Sequence, residues 1–428
     1  MPPRRPVPRA AAAARLLGAS LLVALVAAPG AAADSDDVAY DAGLQWNLHQ
    51  IGAEEAWRTA SGAGTTIAIV DSGVALTHED LAGQLVPGVA CRRTDGDPDA
   101  CEGSAEDDDG HGTHVAGVAA ARTGNGVGIA GTAPDARIMP VKVLFRACET
   151  CQSTGEPEDV SAAVRWAADH GADVINLSLG STASAVFGPS FADAVRYAWS
   201  KGAIPVVAAG NDYVLTADLD DAPAVVVSAT DRDDGAPEYS NGVGEARWAV
   251  AAPGGDGSDT PESCSQQGEP RGILSTYRSA EDPAGSYACL SGSSMAAPHV
   301  SGGLALLLGA GLSPESAVQR LLDTAVDLGD PGRDPVFGAG RIDLAAALAG
   351  IEPAAVPATT PDAGQVPGPD ALPEGAVPDD EVAAPPTGDD DPPLALVVLA
   401  AVLIAATATT TVAMTVRSRP RPEAISRW

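Results

Sequence analysis

Between residues 66 and 324 the chain alternates short runs of apolar, β-branched residues with longer, alanine-rich runs of helical character, and that alternation admits few folds. Residues 66–70, 137–144, 173–177, 204–208, 224–229 and 248–251 read as strands; 113–122, 160–170, 191–201, 295–308 and 314–324 read as helices. Several of the strand runs are apolar almost without interruption, as strands covered on both faces are. Strands joined through helices lie parallel, because a parallel pair needs a crossover that no tight hairpin can make. The expected fold is therefore α/β, in three layers: a mostly parallel sheet with helices on both faces. No internal repeat is visible.

Ligands of such sheets collect off the carboxyl ends of the strands. Val70-Asp71-Ser72-Gly73 closes the first strand with a carboxylate there. Gly110-His111-Gly112-Thr113-His114 follows Asp107-Asp108-Asp109, read as a flexible acidic lead-in, and opens an apolar helix with an imidazole at its N-terminus. Gly292-Ser293-Ser294-Met295-Ala296-Ala297-Pro298 sets Ser294 just before a small-residue helix, with Pro298 expected in the first turn, where a missing N–H is tolerated. A serine hydroxyl is a poor nucleophile near neutral pH. It becomes reactive when a base takes its proton and a buried carboxylate holds that base in the right tautomer. Asp71, His111 and Ser294 supply acid, base and nucleophile.

Two more strand ends carry polar groups: Ala208-Ala209-Gly210-Asn211 finishes in an amide, and Asn176-Leu177 runs into Ser178-Leu179-Gly180. Rival chemistries lack their residues. Ala296 stands where a Gly-x-Ser-x-Gly elbow would need its second glycine, and no His-Glu-x-x-His zinc motif occurs. Hydrolysis by a hydroxyl, a base and an acid calls for no cofactor. His114 and His299 lie inside the motif phrases and read as packing or hydrogen-bonding residues; His49, His78 and His170 have no partner evident in the sequence.

The three phrases, in the order Asp, His, Ser, resemble the subtilisin family of serine proteases, peptidase family S8, over residues 45–350. The resemblance implies a subtilisin-like fold and an endopeptidase that hydrolyses peptide bonds through an acyl-enzyme. It implies that Asn211 donates its side-chain amide to the oxyanion, beside the backbone N–H of Ser294, and that Ser178, Leu179 and Gly180 pair with the extended backbone of a peptide substrate. Asp80 and Asn125 match positions that bind a structural calcium ion in some subtilisins; the loop carries one more residue here, and Asp80 reads as a turn or cap residue. Asp212, directly after Asn211, reads as a solvated acid on the rim of the first specificity pocket.

The ends of the chain say where this chemistry is placed. Residues 1–33 combine Arg4, Arg5, Arg9 and Arg15 with an apolar stretch and Ala31-Ala32-Ala33, the pattern of a secretory signal. The catalytic domain, with a short N-terminal extension, is expected over 34–350. Residues 351–393 are rich in Pro, Ala, Asp and Glu without a single Lys or Arg, a composition that buries no core and reads as a disordered linker. Residues 394–416 are free of charge and long enough to cross a bilayer, and 417–428 carry Arg417, Arg419, Arg421 and Arg427. Positive charge beyond the span puts the tail in the cytoplasm and the catalytic domain outside the cell membrane. A net charge of −32 argues against nucleic acid as a partner. Six cysteines in an exported chain point to disulfides, and three pairs are close in sequence: Cys91 with Cys101, Cys148 with Cys151, Cys264 with Cys289.

Signal, short extension with no room for a long propeptide, catalytic domain, proline-rich linker and one span together resemble the mycosins, the membrane-anchored subtilisin-like proteases that accompany type VII secretion. That resemblance implies a protein or peptide substrate, a membrane attachment and the secretion machinery as partners. A general cell-surface subtilase, or a stalked structural component of a secretion complex whose proteolysis is dispensable, are the alternatives.

Overall fold

The alternation becomes seven parallel strands in the computed structural model, which describes residues 37–352 apart from 42, 149, 150, 152, 180–188, 212–220 and 258–269. The strands are β1 (Thr66–Asp71), β2 (Val89–Ala90), β3 (Arg137–Lys142), β4 (Val174–Leu177), β5 (Ile204–Ala208), β6 (Val225–Thr230) and β7 (Trp248–Pro253). They lie in the order β2-β3-β1-β4-β5-β6-β7, and every pairing is parallel. Chain order reverses beside β1, with β3 and β2 to one side and β4 to β7 to the other. Such a switch point is where open parallel sheets bind ligands, and β1 ends there in Asp71.

Helices α1 (Val38–Asp41), α2 (Trp46–Gln50) and α3 (Ala53–Trp57) precede the sheet; α4 (His111–Ala120), α5 (Pro157–Asp169), α6 (Pro189–Ser200), α7 (Ser293–Gly309), α8 (Pro314–Asp323) and α9 (Leu344–Leu348) follow. Side chains alternate between the faces of a strand. Ile67 and Ile69 of β1 therefore join one buried cluster, with Val206 and Val227 of the sheet, Val115 of α4, and Val300 and Leu304 of α7. Ala68 and Val70 join the other, with Ile175 and Val226, Val160 and Val164 of α5, and Phe191 of α6. These are the three expected layers. α7 is buried from Ser293 through Leu307, as a helix apolar all round must be.

Two expectations change. β8 (Ile273–Tyr277) and β9 (Ser286–Leu290) form an antiparallel hairpin outside the main sheet. Its serine- and tyrosine-rich strands carry too weak an apolar pattern to stand out in the sequence; Ser275 and Thr276 hold it on α4 by donating their hydroxyls to the His114 and Thr113 carbonyls. Pro298 lies in the second turn of its helix, not the first, because α7 starts at Ser293 with Gly292 as its N-cap.

The segment ahead of the sheet is tied across the domain. The Asp37 carboxylate accepts the Gly124 and Asn125 N–H groups, Gln45 pairs its amide with the N–H and C=O of Ala130, and Trp46 Nε1 donates to the Gly272 carbonyl. Cys91–Cys101 and Cys148–Cys151 are bridged. Cys289 is disulfide-bonded too, while Cys264, with which the sequence pairs it, lies outside the described residues. So do the expected signal, the span at 394–416, the basic tail and all of the linker beyond Glu352. No helix among the described residues is long and apolar enough to cross a membrane.

Candidate active site

Asp71 reaches the switch point with its carboxyl wholly buried. Oδ1 accepts the Ser72 N–H and the Nδ1–H of His111, each at 2.7 Å. His111 is the first residue of α4, and the glycines on either side of it make the approach possible. Gly110 has φ +105°, and a Cβ there would fall 2.5 Å from the Tyr277 ring; a Cβ on Gly112 would overlap the Gly73 carbonyl oxygen. With Nδ1 given to the acid, proton chemistry falls to Nε2, on a ring that is 28% exposed while the acid is not exposed at all. Burial opposes charge on this imidazole, but the charge and hydrogen bond of Asp71, then the charges of Asp109 and Asp107, outweigh it and push its pKa up to about 9. The arrangement fixes one tautomer and stabilises the imidazolium.

The acidic lead-in is pinned rather than flexible, since each of its carboxylates finds donors. Asp107 is buried against the start of α4, where hydroxyls and backbone N–H groups converge on it. Asp108 pairs with Lys142 at 2.8 Å, and Asp109 with Arg146 at 3.0 Å and Ser153 at 2.7 Å. Lys142, the last residue of β3, is itself nearly buried and also donates to the Ser72 carbonyl.

Ser294 is the second residue of α7. In a regular helix its carbonyl would accept the N–H of residue 298, which proline lacks. Ser178, just beyond β4, takes that place and donates its Oγ to the Ser294 carbonyl at 2.7 Å, while accepting from Asn176 Nδ2 at 2.9 Å. The proline thus links the serine helix to the loop after β4. Ser294 Oγ meets the Ser178 carbonyl at 3.4 Å, a bond long enough to leave the hydroxyl easily turned. α4 and α7 pack on one another, so His111 and Ser294 open two adjoining helices.

Asn211 follows β5 and its amide has one possible sense. Ser293 Oγ accepts the Gly210 N–H, so its own proton goes to Asn211 Oδ1 at 2.9 Å, and the Ser293 N–H adds a second donor at 3.0 Å. With Oδ1 occupied, Nδ2 faces the N-cap of α7, lying 3.2 Å from where a Cβ on Gly292 would sit. Ser178 and Leu179 are buried at the end of β4; Gly180 and Asp212 lie outside the described residues.

The other histidines are structural. His114 Nε2 donates to the Ile273 and Ala288 carbonyls, and His299 Nδ1 to the Met295 carbonyl; burial pulls their pKa values down to about 3 and about 4. His78 bonds the Ser286 carbonyl, His49 stacks on Tyr40 and His170 on Trp166. Asp80, whose pKa burial and the nearby Asp37 charge raise to about 6, receives Asn125 Nδ2 at 2.8 Å and the Ile129 N–H at 2.8 Å. These are N–H donors turned onto carboxylates, not the converging oxygens a calcium ion takes. As arranged, the residues do not fit that ion, and among the described residues no group of three His, Cys, Asp or Glu side chains is placed to hold a metal.

Sequence reasoning missed Ser72, Thr113, Ser293 and Asp107 as parts of the site. The first three lie inside its motif phrases; Asp107 offered no signal beyond its charge.

The chain as a whole is similar to known proteins. The model of the Subtilase family (Peptidase_S8) matches residues 62–340. Thermitase of Thermoactinomyces vulgaris is 37% identical over 306 residues, 71% of this chain and 95% of that protein. A thermophilic serine proteinase of Bacillus sp. (strain AK1) is 36% identical over 71% of this chain and 67% of its own length. Among solved structures, a protease from Pseudoalteromonas arctica superposes with a TM-score of 0.61 at 31% identity, covering 74% of this chain and 98% of that one.

Proposed function

The chain belongs to the subtilase family and is a serine endopeptidase, and from that premise we propose that Asp71, His111 and Ser294 are its acid, base and nucleophile. The observation that carries this is the 2.7 Å bond from His111 Nδ1 to a fully buried Asp71, which leaves Nε2 to take the Ser294 proton. Ser294 Oγ adds to the scissile carbonyl. The oxyanion that forms receives Asn211 Nδ2 and the Ser294 N–H. His111 then returns its proton to the leaving amine, and water cleaves the acyl-serine by the same route in reverse. Ser178, Leu179 and Gly180 would pair with the substrate backbone, a mode of binding that reads main chain more than side chains. Ser294→Ala should abolish both turnover of a peptide substrate and labelling by a fluorophosphonate; labelling that survives in the variant rejects the assignment.

The finer reading is a mycosin-like protease, tethered to the outer face of the cell membrane by the span at 394–416 and linked to type VII secretion. The signal pattern, the acidic linker and the arginines past the span support it. Complementation of a deletion strain separates it from a stalked structural component. Rescue of secretion by wild type but not by Ser294→Ala supports the protease, and equal rescue supports the structural role. A genomic neighbourhood without type VII secretion genes would leave a general surface subtilase.

A further inference from the structure

Asp107 has no step in the reaction just described, yet two hydroxyls beside the acid and the base, those of Ser72 and Thr113, are arranged around it. Ser72 Oγ accepts the Gly112 N–H at 2.9 Å and Thr113 Oγ1 accepts the Ala75 N–H at 2.9 Å. Each hydroxyl then has one proton left, and both point at Asp107: Ser72 to Oδ1 at 2.9 Å, Thr113 to Oδ2 at 2.5 Å. The Asp109 N–H adds a donor to Oδ1 at 2.9 Å and the Thr113 N–H adds one to Oδ2 at 3.1 Å. Four donors on two oxygens favour the anion, while burial pushes the pKa of this carboxyl up. Ser72 adjoins Asp71 in the chain, and Gly112 adjoins His111. The bridge Gly112 N–H to Ser72 Oγ–H to Asp107 therefore joins the segment carrying the acid to the helix carrying the base, one residue from each.

We infer that Asp107 is a positioning residue for the Asp71–His111 pair, fixing the strand end and the helix start at bonding distance while setting a second buried negative charge beside the imidazole. This rests on the reading of Asp71 and His111 as acid and base. The charged and titratable groups around the imidazole are Asp71 from β1, Asp107 and Asp109 from the preceding loop, and His114 from the next turn of α4. Behind them, Lys142 of β3 holds Asp108 and Arg146 holds Asp109; from β8, Tyr277 donates its hydroxyl to the Asp109 carbonyl. α7 contributes only His299.

Asp107→Asn and Ser72→Ala separate the two effects. Asp107→Asn removes the charge and turns an NH₂ toward donors, so kcat per fluorophosphonate-titrated site should fall about tenfold or more and the acidic limb of kcat/KM should move to lower pH by about half a unit or more. Ser72→Ala keeps the charge and cuts the bridge, so kcat should fall with KM and the limb little changed. A purely structural role would lower the titratable fraction and leave kcat per site and the limb where they were in both variants, which overturns the inference. If Asp107→Asn does not fold, wild-type kcat per site in Ser72→Ala overturns it alone. Failure of wild type to react with the fluorophosphonate would instead overturn the triad reading.

Discussion

At the scale of single residues, the site depends on contacts too close for substitution. A methyl group on Gly112 would occupy the space of the Gly73 carbonyl oxygen, so Gly112→Ala must push α4 away from β1. Displacement of catalytic groups by about an ångström costs roughly a hundredfold in rate. Gly112→Ala is expected to lose at least that in kcat per active site, read by fluorophosphonate titration alongside turnover. The His111 imidazole sets a second expectation. Its base form is the neutral one, and its pKa is raised to about 9, so kcat/KM should climb with pH along a limb above the ordinary histidine value of about 6.5. The folded state also holds this proton more tightly than the unfolded chain does. The stability so gained is complete below about 6.5 and is lost as pH rises through about 9. In a Ser294→Ala background, where self-digestion is absent, the Tm advantage of His111 over His111→Ala should narrow across that window. Asp71, His111, Ser294 and Asn211 stand out in the sequence as candidates because each lies at or just past a strand end or at a helix start, in a phrase with few other uses. Asp107 does not, because its role comes from hydroxyls brought to it by two other elements.

At the scale of elements, α7 does the most. It packs against β4, β5, β6 and β7 while carrying Ser294 at its start, so the proposed nucleophile is set by a helix buried along most of its length. Truncating a wholly buried leucine on it leaves a cavity; Leu304→Ala should cost about 2–5 kcal/mol in chemical denaturation of the Ser294→Ala protein. Pro298 shows how a broken helical bond is reused, since the carbonyl it leaves unpaired is the one that Ser178 takes. Ser178→Ala should strand that carbonyl at about 1–3 kcal/mol of stability and lower kcat about tenfold through loss of the serine helix's tether. Strand–helix alternation made six strands of the main sheet readable, while β2, only two residues long, carries too short an apolar run to stand out. The β8–β9 hairpin was not readable, because strands that hold α4 with serine and threonine hydroxyls carry little apolar signature. Pro298 was misplaced by a turn because the helix begins at Ser293, where capping geometry rather than composition decides.

At the scale of the whole molecule, the sheet gathers its candidate site residues at the carboxyl ends of its central strands. Asp71 is the last residue of β1, and Ser178 and Asn211 follow β4 and β5, three strands that run the same way and lie side by side. That common direction is what lets residues far apart in the chain meet. If the apolar span at 394–416 anchors the protein, a chain ending at Glu352 should retain turnover in the soluble fraction, whereas the full chain sediments with membranes; equal partitioning of both would reject the anchor. The depth of α7 has a last consequence, for survival. A protease at high local density is exposed to its own kind, and its packed core can be cut only where the domain has opened. Because Ser294 rides on a helix buried from Ser293 through Leu307, an opening large enough to offer the core for cleavage also dismantles the proposed site. Copies whose core opens are therefore expected to lose activity before that core is digested, so that cleaved cores and surviving activity should not coexist in one molecule.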